Sequence, residues 1–157
     1  MWTQMIEAWS SLYSDHAALR TAVEFVHIAG LVAGGGCAIT ADLATIAVGG
    51  DAASRTAAVR LLEGTHRIVL LGLTALFLSG GLLLAADVET YWPSRLFWIK
   101  MALVAVLLVN GALIVRTEGQ AEAGQPHAVA RLHTLAITSL LLWGLTTLVG
   151  TALPNLG

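Results

Sequence analysis

Charge is what this sequence has least of. Asp, Glu, Lys and Arg make up 11% of its 157 residues, where water-soluble domains carry roughly 25%. That shortage excludes an ordinary solvated surface and points to lipid as the solvent. The chain holds one cysteine, Cys37, so neither an internal disulfide nor a thiolate metal cluster can form, and Cys37 reads as a small packing residue. A formal charge of -2 supplies no basic surface, so nucleic acid is not an expected partner. The N-terminus lacks a basic region followed by a short apolar run and a small-residue cleavage site, so no removable signal peptide is expected.

What is abundant is apolar side chain, at 57% of the residues. A hydrocarbon core of ~30 Å takes about 20 apolar residues in a helix. Stretches of that length run at 22–48, 68–86, 97–115 and 133–153. The expected fold is an all-α, integral-membrane, four-helix up-down bundle forming a single domain over 1–157. Its spans leave no room for a soluble catalytic domain, and the lipid bilayer is the expected surrounding.

Between and before the spans, local patterns suggest further detail. Trp2, Met5, Ile6, Trp9, Leu12 and Tyr13 recur at helical spacing, which predicts an amphipathic interfacial helix over 2–15. Gly30, Gly34, Gly35 and Gly36 predict close helix packing in the first span. Asp51 is placed to cap a short helix ending near Glu63, with Gly64 leading into the second span. Tyr91, Trp92 and Trp98 suit a membrane boundary. Residues 116–125 read as a polar connection, with Pro126 opening the last helix.

Basic residues give an orientation. Arg55, Arg60 and Arg67 flank the first connection and Arg116 and Arg131 the third, against Arg20 and Arg95 on the other side. The positive-inside rule then puts both termini outside the cytoplasm.

Ionisable groups at membrane depth are costly and tend to be functional. Here they are Glu24, His27, Asp42, His66, Lys100 and His133, with Asn110 as a neutral companion. In an up-down bundle His27 and Lys100 fall on one diagonal near the outer side, and His66 and His133 on the other near the inner side. Two facing side chains from opposite helices can hold a haem iron, so His27, His66 and His133 are candidate metal ligands. Arg55, Arg60, Arg67 and Arg131 are candidate partners for haem propionates. Each residue also has a plainer reading. His66 and His133 sit near helix starts as interfacial histidines would, Lys100 is able to snorkel, His27 to bond Glu24 or a hydroxyl, and Asp42 and Asn110 to bond each other or helix backbone.

The segment from Glu24 to Gly49, EFVHIAGLVAGGGCAITADLATIAVG, and that from Tyr91 to Ile114, YWPSRLFWIKMALVAVLLVNGALI, resemble an uncharacterised family of small bacterial four-helix membrane proteins. They are more distantly similar to HemJ-type protoporphyrinogen oxidases and to the CopD membrane domain, which pair an early-helix histidine with a Trp-x-Lys start to a later helix. The resemblance implies haem binding through His27 and Lys100. An aromatic-rich stretch of the HemJ type is replaced here by Gly34–Gly36, so haem binding, rather than porphyrinogen oxidation, is the shared expectation. The expected function is therefore that of a b-type haem protein moving electrons in a bacterial cytoplasmic membrane, with quinone or a redox protein as exchange partner and a homo-oligomer as one assembly. Two alternatives stand beside it: a transporter or channel whose path is lined by Glu24, Asp42 and Lys100, and a non-catalytic subunit or assembly factor docking through its glycine-rich helix.

Overall fold

The computed structural model describes residues 2–47, 52–125 and 127–156, with side chains described for these except 52–64 and 156. The expected cap at Asp51 and the helix start at Pro126 lie outside the described residues, as do the side chains of Arg55 and Arg60. Among the described residues every regular element is helical: α1 (Trp2–Asp15), α2 (Ala17–Gly30), a π-helical segment (Leu31–Gly35), α3 (Gly36–Ala47), α4 (Ala52–Ala86), the short α5 (Val88–Tyr91), α6 (Arg95–Glu122) and α7 (Ala128–Leu156). Four stretches are long and apolar enough to cross a membrane: Ala17–Ala47, Thr65–Ala86, Arg95–Glu122 and Ala128–Asn155. Their exposed surface suits lipid, with Phe77 78% exposed and Leu71 70% exposed, a display that water would penalise.

Several boundaries differ from the sequence expectation, for one physical reason. A lone glycine in a run of good helix formers costs only about 1 kcal/mol and does not stop a helix. Gly64 therefore lies within an unbroken α4, and α6 continues through Gly119 to Glu122 instead of ending near Val115. Gly124 does terminate it. At φ 72° it adopts the left-handed conformation, and the amides of Gly124 and Gln125 bond the carbonyls of Ala121 and Gln120 at 3.0 Å each, a Schellman closure. At the other end of the chain, extended His16 (φ -117°, ψ 95°) separates α1 from α2. The first span consequently begins at Ala17 rather than Ala22.

The chain divides into two compact units, Met1–Cys37 with His66–Ser94, and Ala38–Thr65 with Arg95–Gly157. In the first unit α2 and its π segment cross α4 at glycines. A Cβ built on Gly72 would stand 2.5 Å from the Gly34 Cα and 2.8 Å from the Gly30 carbonyl oxygen, so the two backbones touch with no side chain between them. At α4's C-terminal end, Trp9 Nε1 donates to the Leu82 carbonyl at 2.9 Å and Ser10 Oγ to the Ala86 carbonyl at 2.8 Å. Last-turn carbonyls lack partners within their own helix, and α1 supplies one for Ala86. Arg20 does the same for α1, donating to the carbonyls of Ser14 and Tyr13.

In the second unit α6 packs along α7 over a core that includes Phe97, Leu107, Ala136, Leu142 and Trp143. Buried polar groups interrupt that core: Asp42, Asn110, Thr117 and Ser139.

Candidate functional site

In the first unit, His27, Gly30 and Gly34 stand at i, i+3 and i+7, one face of a helix, and Gly72 and Ser79 at i and i+7 form another. Since Gly34 and Gly30 meet Gly72, antiparallel register carries His27, two turns before Gly34, to Ser79, two turns beyond Gly72. There the His27 Nδ1 and the Ser79 Oγ are 2.9 Å apart. A Cβ on Gly80 would lie 3.4 Å from His27 Cε1, an ordinary contact distance, so the ring packs against α4 at Gly80.

Ser79 is buried, 2% exposed, and its hydroxyl donates to the Ala75 carbonyl at 2.5 Å. With that proton committed, Oγ meets the imidazole as an acceptor, and His27 donates from Nδ1. Assigning the serine proton to Ala75 in this way corresponds to the tautomer protonated at Nδ1. Donation from the second ring nitrogen to a fixed oxygen is the arrangement that orients metal-binding histidines and raises their basicity. The expected hydroxyl partner for His27 is therefore found, and the same bond suits the ring to ligate through Nε2.

Above this site Glu24, one turn earlier on α2, accepts from the Tyr13 hydroxyl at 3.3 Å. Burial, and then the Glu24 charge, raise the Tyr13 pKa above its ordinary 10.0. Tyr91 is likewise raised, by burial first and then by Asp87 and Glu24. Two neutral phenols thus attend one exposed carboxylate at this end of the unit.

The second unit holds the other predicted groups. Lys100 is half-buried, and a Cβ on Gly150 would be 3.5 Å from both its Cε and Nζ, ordinary contact, so the lysine end lies against α7 at Gly150. Asn110 Nδ2 donates to the Leu135 carbonyl at 3.1 Å, and Asp42 hydrogen-bonds Ser139. Both contacts fall on successive turns of α7. Asn110 thus takes the backbone partner allowed by its sequence, and Asp42 takes a side chain the sequence had not marked.

His66 and Arg67 are exposed on α4, and His133 and Arg131 are exposed on α7. His66 belongs to the first unit and His133 to the second, as do His27 and Lys100 respectively.

Ser79 was not singled out from sequence, nor was Ser139, and Trp9 was marked only as part of an interfacial helix. The available signal was spacing: Ser79 lies two helical turns from Gly72, the same interval that separates His27 from Gly34 on the facing helix.

Among the described residues no three His, Cys, Asp or Glu side chains converge as a protein-built metal site requires. A haem iron makes a smaller demand, because the porphyrin supplies its equatorial nitrogens and the protein only axial ones. An imidazole fixed in the Nδ1-protonated form meets that demand. No family model, curated protein or solved structure matches the chain. The haem reading therefore rests on this chain's own residues.

Proposed function

We propose that this protein is a b-type haem protein that carries electrons within a bacterial cytoplasmic membrane and exchanges them with quinone or a redox partner. The observation that carries the reading is the Ser79 bond to His27 Nδ1, with the serine proton committed to Ala75. A histidine that is to hold a haem needs its ring oriented and its tautomer chosen, and the bond to Ser79 on α4 would serve both. When bound, haem supplies a one-electron couple whose potential follows from its axial ligands and the burial of the site.

Each residue then has a stated part. His27 would hold the haem through its second ring nitrogen, Nε2. Ser79 would hold the ring angle. Glu24, with Tyr13 and Tyr91, forms a polar group one turn nearer the boundary, able to hold a proton as charge changes on the iron. Lys100, His66 and His133 are further candidates for holding a haem, each within its own unit, and Arg67 and Arg131 are candidate partners for its propionates. In this proposal the four spans make an up-down bundle with both termini outside the cytoplasm, and α1 lies in the interface with Trp2 and Trp9 at headgroup level.

Titrating haemin into purified protein, followed by its absorption spectrum, tests the role of His27. The parent should bind and form a low-spin species, and His27→Ala should lose it. Ser79→Ala should bind about 10- to 100-fold more weakly, the usual effect of removing an outer-shell partner. Equal affinity in the parent and His27→Ala would remove His27 from the site.

A further inference from the structure

A carboxyl group inside a membrane span must account for its charge. Asp42 is 5% exposed, on α3 within the span Ala17–Ala47. It hydrogen-bonds Ser139, itself 4% exposed, while its Oδ2 is buried with no hydrogen-bond partner. An ionised carboxylate offers about four lone-pair sites and looks for donors at most of them. Asn110 on α6, whose Nδ2 donates to the Leu135 carbonyl, leaves Oδ2 of Asp42 without a partner. Among the described residues, the charged side chain acting on Asp42 is Glu118 on α6, of the same sign. Nothing described on α3, α6 or α7 offsets a negative charge there, and an unpaired buried ion costs several kcal/mol.

We propose that Asp42 is a proton-binding site inside the membrane, taking up and releasing one proton at the unpartnered Oδ2 while Ser139 holds the other oxygen. A proton answers the observations better than a metal cation. Hard cations such as calcium ask for about 6–8 oxygen ligands, and no group of three His, Cys, Asp or Glu side chains converges among the described residues. Along α7, two turns beyond Ser139 on the same face, Thr146 Oγ1 is also buried without a partner. One turn further is Gly150, against which the end of Lys100 lies. That stripe sets further polar groups on the α7 face that carries Ser139. The site does not depend on haem.

Infrared spectroscopy of the purified protein in lipid, titrated from mildly acid to alkaline buffer, tests this. The expected result is one carboxylic-acid carbonyl band at neutral pH that shifts in D2O, fades on alkaline titration, is absent in Asp42→Asn and persists in Glu118→Gln. Absence of the band in folded parent protein at every pH would show an ionised Asp42 and overturn the proposal. So would a band that survives in Asp42→Asn, disappears in Glu118→Gln, fails to shift in D2O, or is lost when sodium is added at constant pH. If Asp42→Asn does not fold, the parent titration and Glu118→Gln still decide the matter, since Glu118 is the other carboxyl acting at the site.

Discussion

Gly72→Ala probes the contact that sets the register between α2 and α4. The added methyl would lie 2.5 Å from the Gly34 Cα and 2.6 Å from the Gly34 nitrogen, whereas carbon atoms rest about 3.5–4.0 Å apart. Both obstacles are backbone, so rotamer changes cannot relieve the clash and the helices must part by roughly 1 Å. Overpacking of this kind typically costs about 1–3 kcal/mol. An alanine at Gly36, where nothing lies within 4 Å of the added Cβ, should instead be neutral or stabilise by up to roughly 1 kcal/mol through helix propensity. The assay is reversible unfolding from mild detergent into a denaturing one, followed by tryptophan fluorescence. Parting the helices should also lengthen the 2.9 Å bond between His27 and Ser79, so Gly72→Ala should weaken haem binding while Gly36→Ala does not. Were Gly72→Ala within about 0.5 kcal/mol of the parent, the range of an indifferent surface change, the close crossing would be refuted.

Tyr13 and Tyr91 are the only tyrosines in the sequence, and both are raised above 10.0, so the midpoint of phenolate absorbance in the folded protein should lie above that pH. Because the folded values exceed the unfolded one, their contribution to stability is complete below pH 10.0 and is lost as pH climbs through the folded values; Tyr13→Phe should lessen that alkaline loss in a denaturation series. Asn110→Ala removes the bond to the Leu135 carbonyl and should destabilise the protein by about 0.6 kcal/mol, and at most about 1.7, the range measured for hydrogen bonds between membrane helices. Alanine substitutions at His66 and His133 should be strongly non-additive in the haem spectrum if the two act on one iron, whereas independent mild effects would mark them as interfacial.

The spans were legible because length and apolarity alone define them, and the four apolar stretches, the first as far as residue 47, fall within the four long helical stretches. Helix ends were less so. Gly64 and Gly119 look like stops in a sequence, but helical neighbours carry the chain through both, while Gly124 ends α6 because its carbonyl partners and left-handed backbone complete a closure. His27 stood out as an ionisable group at depth, whereas Ser79 did not, being one small residue in a run of Leu, Gly, Ala and Thr. Its importance comes from the register of two helices, and that register is set by backbone contact at Gly30, Gly34 and Gly72. Likewise Asp42 was visible but Ser139 was not, since which hydroxyl meets a carboxylate depends on rotation of α7 about its own axis. The π-helical turn at Leu31–Gly35 left no periodic signature in a segment made of small and aliphatic residues.

The most direct test of the haem assignment is a reduced-minus-oxidised absorption spectrum of protein purified from haem-replete cells, recorded for the parent and for His27→Ala. A reducible Soret and α band in the parent, abolished or converted to a high-spin form in His27→Ala, is the predicted result. A parent preparation without these bands, or a His27→Ala spectrum indistinguishable from the parent's, would contradict it.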